Sequence, residues 1–162
     1  MKIIKIRPVL AAMFLLAQLT ACSEHSAVVG KLPADVATVG IQVKAANRVL
    51  AVNQEVVLPI SLLNNGVGQI PSKPQADGNS QVFVTYHWFR ESGETAVWDG
   101  VRTSLPKDIK KGQVVDVQLA IKAPAEPGKY VLVVDLVQEG VLWFADTGSQ
   151  TAKMNYVIEI NK

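Results

Sequence analysis

The chain has 162 residues, 49% hydrophobic and 19% charged, with a formal net charge of +2 and a single cysteine. That length is enough for one ordinary domain with a real hydrophobic core. So small a net charge makes no case for a nucleic-acid partner, and one cysteine excludes an intrachain disulfide, so the fold must rest on packing.

Residues 1–21 read as a targeting segment. Lys2, Lys5 and Arg7 form a positive n-region, Val9 to Leu19 an eleven-residue apolar h-region, and Thr20-Ala21 supply small residues ahead of Cys22. That is the layout of a secretory signal, too short to span a membrane as a helix. Removing Lys2, Lys5 and Arg7 takes the formal charge from +2 to −1. Leu19-Thr20-Ala21-Cys22 resembles the bacterial lipobox. The resemblance implies cleavage before Cys22 and lipidation of that residue with diacylglyceryl and N-acyl (palmitate-type) chains. Two or more such chains anchor stably, at roughly 0.8 kcal/mol per buried methylene. Ser23, where an Asp would signal retention, implies by the same resemblance a lipid-anchored protein of the cell outer membrane, on its periplasmic or surface face.

Residues 22–36 (the chain from Cys22 to Val36) contain Gly30 and Pro33 and show no period. They read as a lipid-anchored flexible tether, leaving 37–162 as the domain. From Thr38 on, short apolar segments alternate with turn residues, and no segment carries a helical stripe. Val39 to Ala45 is an expected strand, and Arg48 to Val52 continues it or pairs nearby. Val56, Leu58, Ile60 and Leu62 alternate in the next, where Pro59 points to an edge or bulged strand. Gly66 to Ser80 is a long loop rich in Gly, Pro and polar residues, functional or mobile.

Gln81 to Arg90 is a strong strand, with Val82, Val84, Tyr86 and Trp88 on one face and Phe83, Thr85, His87 and Phe89 on the other. Short strands follow at Thr95 to Trp98 and Val101 to Leu105, divided by Asp99-Gly100. Val115, Val117, Leu119 and Ile121 alternate with polar residues in a half-buried strand. Lys129 to Val137 is almost wholly apolar, as expected of a central strand covered on both faces. Val141 to Phe144 reads as its hairpin partner across Gln138-Glu139-Gly140. Met154, Tyr156, Ile158 and Ile160 mark a last strand with one wet face. Strands this short and evenly spaced, without crossover helices, predict an all-β fold.

Gly128-Lys129-Tyr130-Val131-Leu132 resembles the tyrosine corner of immunoglobulin-type domains, with Leu132 where the second cysteine would stand. Trp88 falls where those domains bury a strand-C Trp. The fold expected is therefore an immunoglobulin-like antiparallel β-sandwich of about seven to nine strands without a disulfide. A longer run is similar to Ig-like accessory domains of bacterial envelope glycosyltransferases. It comprises Tyr86-x-Trp88, Asp99-Gly100-x-Arg102-Thr103-x-Leu105-Pro106, Gly112, Ala123-Pro124, Pro127-Gly128-x-Tyr130, Asp135-Leu136-Val137-x-Glu139-Gly140 and Trp143-Phe144. This implies an envelope-polysaccharide context and transfers no catalytic residue.

For chemistry, the chain offers little. His25 and His87 are its histidines, and neither sits in a motif that supplies a nucleophile and an orienting group. There is no H-E-x-x-H, no C-x-x-C and no phosphate loop, so no metal or cofactor is expected. Asp99, Asp108, Asp135, Glu139 and Asp146 are read as scattered near turns, where acids are commonly solvated, although a cleft pairing two of them would suit a hydrolase. The aromatic residues are the better lead. Trp98, Arg102 and Trp143 are candidate ligand-binding residues, able to stack a sugar ring or to cap the core. The expected function is a non-catalytic binding or adaptor domain on an outer-membrane lipoprotein, with envelope polysaccharide as candidate partner. Two other readings stand beside it: a lipoprotein docking an envelope or secretion protein complex through a strand edge or the 66–80 loop, and an envelope hydrolase.

Overall fold

The computed structural model describes residues 30–44, 47–74 and 81–160. The lipobox with Cys22, and His25, lie outside the described residues. Two β-sheets face each other across one core. The first has strand order β1-β3-β7, with β1 Val39–Val43, β3 Glu55–Asn64 and β7 Val114–Lys122. The second runs β2-β10-β8-β4-β5, with β2 Val49–Ala51, β10 Ala152–Glu159, β8 Gly128–Gln138, β4 Val82–Arg90 and β5 Thr95–Val97. Two further two-residue strands complete it, β6 Thr103–Ser104 on β4 and β9 Leu142–Trp143 on β8. The protein is an immunoglobulin-like β-sandwich without a disulfide, as the sequence suggests. The short strands raise the strand number among the described residues to ten.

The alternation in the sequence sets which side chains enter the core. Leu58, Ile60 and Leu62 of β3, the odd residues of β7 from Val115 to Ile121, and Val82, Val84, Tyr86 and Trp88 of β4 are all buried. Trp88 is fully buried, edge-on to Tyr156 at 5.2 Å and to Tyr130 at 6.2 Å between centroids. Its indole Nε1 donates to the Lys122 carbonyl of β7 at 2.9 Å, and Tyr86 Oη accepts from Lys122 N–H at 2.9 Å. These two bonds tie one sheet to the other. Tyr130 Oη donates back to the Glu126 carbonyl at 3.0 Å, the bond that a tyrosine corner makes.

Four expectations are corrected. Pro59 does not mark an edge: β3 is the middle strand of its sheet. Its missing N–H is harmless because β1 ends at Val43, opposite Ile60, and Lys44 N–H only needs the Pro59 carbonyl, at 3.1 Å. The sandwich is not antiparallel throughout, since β2 lies parallel to β10. The partner expected for β8 shrinks to β9, after which Phe144–Thr147 turns as a 3₁₀ helix. The long neighbours of β8 are β4, registered Trp88 to Leu132, and β10, registered Tyr156 to Tyr130.

The tether, finally, does not run to Val36. From Gly30 the chain is docked on the domain. Leu32 is buried. Its N–H donates to Gln138 Oε1 at 2.9 Å, and Gln138 Nε2 donates to the Gly30 carbonyl at 2.7 Å. Gly66 backs so closely on this segment that an added Cβ would stand 2.3 Å from the Val36 carbonyl oxygen. The start of the long loop is likewise pinned, by paired backbone bonds of 3.0 Å between Ile70 and Ile109. Positions 75–80 lie outside the described residues.

Candidate functional site

The outward face of β4 and β8 is where the sandwich departs from a plain one. Outward residues of a two-layer fold normally meet water. Here Thr85, His87 and Asp135 point outward, yet they are 0%, 4% and 1% exposed. Two short segments cover them. The first is the connection from β5 to β6, residues 98–102, which bows out because β5 pairs with the Trp88 end of β4 and β6 with the Phe83 end. Gly100 holds it down: its N–H donates to the Tyr86 carbonyl at 3.0 Å, and a Cβ there would lie 2.5 Å from that oxygen. The second segment is β9 with its 3₁₀ helix.

His87 lies between the two segments. The Trp98 indole stacks on its ring at 4.4 Å and 25°, and Trp143 meets it edge-on at 4.7 Å and 60°. The two tryptophans are 5.8 Å apart, at 68° to each other. His87 Nδ1 donates to the Trp98 carbonyl, and Nε2 faces Asp135 Oδ2 at 4.0 Å. Asp135 in turn accepts from Leu136 N–H at 2.7 Å and from Ala145 N–H at 3.2 Å, which fixes the start of the 3₁₀ helix and with it Trp143.

Arg102 closes the rim. Its guanidinium carbon sits 5.3 Å over the Trp143 ring. Nε donates to Glu139 Oε2 at 2.9 Å, and Nη1 donates to Asp99 Oδ1, to Thr85 Oγ1 at 3.3 Å and to the Gly100 carbonyl at 3.1 Å. Burial alone would lower the Arg102 pKa, but the hydrogen bonds to Asp99 and Glu139 outweigh it and raise it above the ordinary arginine value. The result is an aromatic patch of two inclined indoles rimmed by ion-paired charges, with Trp98 52% exposed as its outermost surface.

Trp98, Arg102 and Trp143, singled out in the sequence, are thus brought together. Asp135 is not a solvated turn residue: it sits in the middle of β8, and its hydrogen bonds replace the water it gives up. His87 and Asp135 were not read as parts of this site. The signal was present, because a carboxylate inside a run as apolar as Val131 to Val137 needs a buried partner. Of the other acids, Asp108 is held apart by Ser72, whose N–H and Oγ donate to it at 2.7 and 2.8 Å. Among the described residues, no three His, Cys, Asp or Glu side chains gather as a metal site, and no helix is long and apolar enough to cross a membrane.

No family model and no curated protein matches the chain. Several solved structures are similar to it in outline. The CARDB domain of PF1109 from Pyrococcus furiosus matches 76% of this chain and 94% of that one, at 14% identity and a TM-score of 0.43. The PapD-like domain 7 of human CEP192 matches 96% of this chain and 99% of that one, at 13% identity and a TM-score of 0.33. A family 123 glycoside hydrolase from Clostridium perfringens matches 77% of this chain at 12% identity and a TM-score of 0.40, and the chain spans only 27% of that enzyme. Likenesses this distant carry no statement of ligand or reaction.

Proposed function

We propose that this protein is an outer-membrane lipoprotein, anchored through acyl chains on Cys22, whose immunoglobulin-like domain is a non-catalytic binding or adaptor module of the cell envelope. Its ligand in this reading is envelope polysaccharide, and its contact surface is Trp98 with Trp143 and Arg102. The observation that carries the proposal is the half-exposed Trp98 ring, fixed in place by a buried imidazole on its inner face. A side chain this large, held rigid and open, costs little entropy when a flat ligand stacks on it.

A non-catalytic role is supported by His87. A general base needs a ring nitrogen within reach of the substrate. One nitrogen of His87 is taken by the Trp98 carbonyl, the other faces Asp135, and the side chains of His87 and Asp135 are both buried. Strand addition to a protein partner finds less support, because several edge N–H groups already have side-chain acceptors. Val49 and Ala51 donate to Asn47 and Gln54, and Ala120 and Lys122 donate to Thr103 and Tyr86.

Two measurements test the proposal. Cys22→Ala should move the protein from the outer-membrane fraction to the soluble fraction and abolish incorporation of labelled palmitate. Binding of the full-length chain to a panel of envelope polysaccharides should be detectable, and Trp98→Ala should weaken it. A panel without any binding, or an unchanged Trp98→Ala, removes the polysaccharide reading.

A further inference from the structure

We infer that the glycan taken by the Trp98 surface is an uncharged or amino sugar and not a uronate or a sulfated one. This rests on the polysaccharide reading above and adds the charge class of the ligand. Three observations carry it. First, the rim holds two carboxylates, Asp99 and Glu139, against one guanidinium, Arg102, so its formal balance is negative.

Second, Arg102 is already committed. Nε is engaged by Glu139 and Nη1 by Asp99, so a two-point grip on an incoming carboxylate would have to break one of those ion pairs. Its ring contact with Trp143 and its part-buried position, 24% exposed, hold the fork where it is. Third, each carboxylate meets Arg102 through one oxygen, Asp99 Oδ1 and Glu139 Oε2. Among the described residues, Asp99 Oδ2 and Glu139 Oε1 take no hydrogen bond, so on the rim that Arg102 shares with Trp143 a hydroxyl or an ammonium can donate to them. Their side chains are 60% and 50% exposed, so an approaching group reaches them without rearrangement.

The surrounding charges do not reverse the sign. Asp146 in the 3₁₀ helix adds a further carboxylate three residues after Trp143, and Lys153 lies on the outward face of β10, opposite Val133. A uronate would therefore place a like charge against fixed carboxylates, while an ammonium on the ring would be attracted.

The experiment titrates the full-length chain in mild detergent with three β-linked hexasaccharides of equal length: glucosamine, glucose and mannuronate. Tryptophan fluorescence reports binding, at low and at high salt. The glucosamine and glucose oligomers should bind, with the mannuronate oligomer weaker by at least about tenfold at low salt, the equivalent of one like-charge contact at a surface. Asp99→Asn with Glu139→Gln keeps acceptors for Arg102 and should narrow the gap to the mannuronate oligomer to less than about threefold, with high salt doing the same. Circular dichroism confirms that the double variant is folded.

Mannuronate binding as tight as glucose, or tighter, overturns the charge assignment and leaves the polysaccharide reading standing. An unchanged gap in the double variant also overturns it. Failure of all three oligomers to bind removes both.

Discussion

Asp135 shows what one residue can decide in this domain. Its carboxylate is 1% exposed, and it accepts two backbone N–H groups while facing His87. Removing it takes the side-chain acceptor from the Ala145 and Leu136 N–H groups, at about 1–3 kcal/mol for a buried donor left without its acceptor. Asp135→Ala should therefore lower the unfolding free energy by that amount, read as a lower urea midpoint at unchanged slope, and free Trp143, seen as a red-shifted emission. Asp135→Asn keeps an acceptor and should cost less. A midpoint within error of wild type for Asp135→Ala would show that the network is dispensable. Asp108 makes the complementary case through pH. Hydrogen bonds from Ser72 N–H and Oγ hold its pKa below the ordinary 3.8. A depressed carboxylate contributes stability that is present above its unfolded-state value and is lost as pH falls through its folded-state value. The Ile70–Ile109 bridge beside it should thus lose hydrogen-exchange protection as pH falls from about 4 downward. In Asp108→Asn that acid-dependent loss should vanish, and a full acid response in the variant would sink the assignment.

At the level of elements, the segment from Trp98 to Arg102 depends on Gly100. An alanine Cβ would meet the Tyr86 carbonyl at 2.5 Å and the Tyr86 ring at 2.7 Å, and neither can give way because Tyr86 is core. Gly100→Ala should cost about 1–3 kcal/mol, as overpacking does, and should weaken the near-ultraviolet signal of the Trp98–His87 stack. A wild-type spectrum and midpoint would mean that the segment shifts freely. The same elements show what a sequence exposes. Period-two alternation located β3, β4, β7 and β10 and their inner faces, because burial on one side writes itself into neighbouring residues. The Trp98, Arg102 and Trp143 group was legible as aromatic and basic residues at turns. Sheet order was not: Gly30 and Leu32 meet Gln138 across more than a hundred positions, and Val39 meets Ser149 likewise. Such contacts leave no local pattern. The place of Pro59 was missed for a related reason, since whether its lost N–H matters depends on where β1 ends.

For the whole molecule, the question is how a two-sheet sandwich keeps its open edges from pairing with other chains. A barrel has no edges, but among the described residues the two strand orders end on four, β1 and β7 in one sheet and β2 and β5 in the other, with the two-residue β6 a further strand on β4. An unpaired edge is a template for a further strand. Three of the four carry outward N–H groups already taken by side chains. Asn47 and Gln54 accept the outward N–H groups of Val49 and Ala51 on β2 at 3.1 and 2.8 Å. Thr103 and Tyr86 accept those of Ala120 and Lys122 on β7 at 3.2 and 2.9 Å. Ser149 Oγ accepts Val39 N–H on β1 at 3.0 Å. The fourth edge, β5, is only three residues long. None of these bonds is worth more than about 1 kcal/mol to folding, so their removal should barely move the unfolding midpoint. The effect should appear in association. Asn47→Ala combined with Gln54→Ala uncovers two adjacent donors on β2, and Thr103→Val uncovers one on β7 with little change in volume. The triple variant should sediment with a higher weight-average mass than wild type at equal concentration, and should aggregate faster at temperatures where both are folded. Equal masses and equal aggregation rates would mean that strand length and twist, not these side chains, protect the edges.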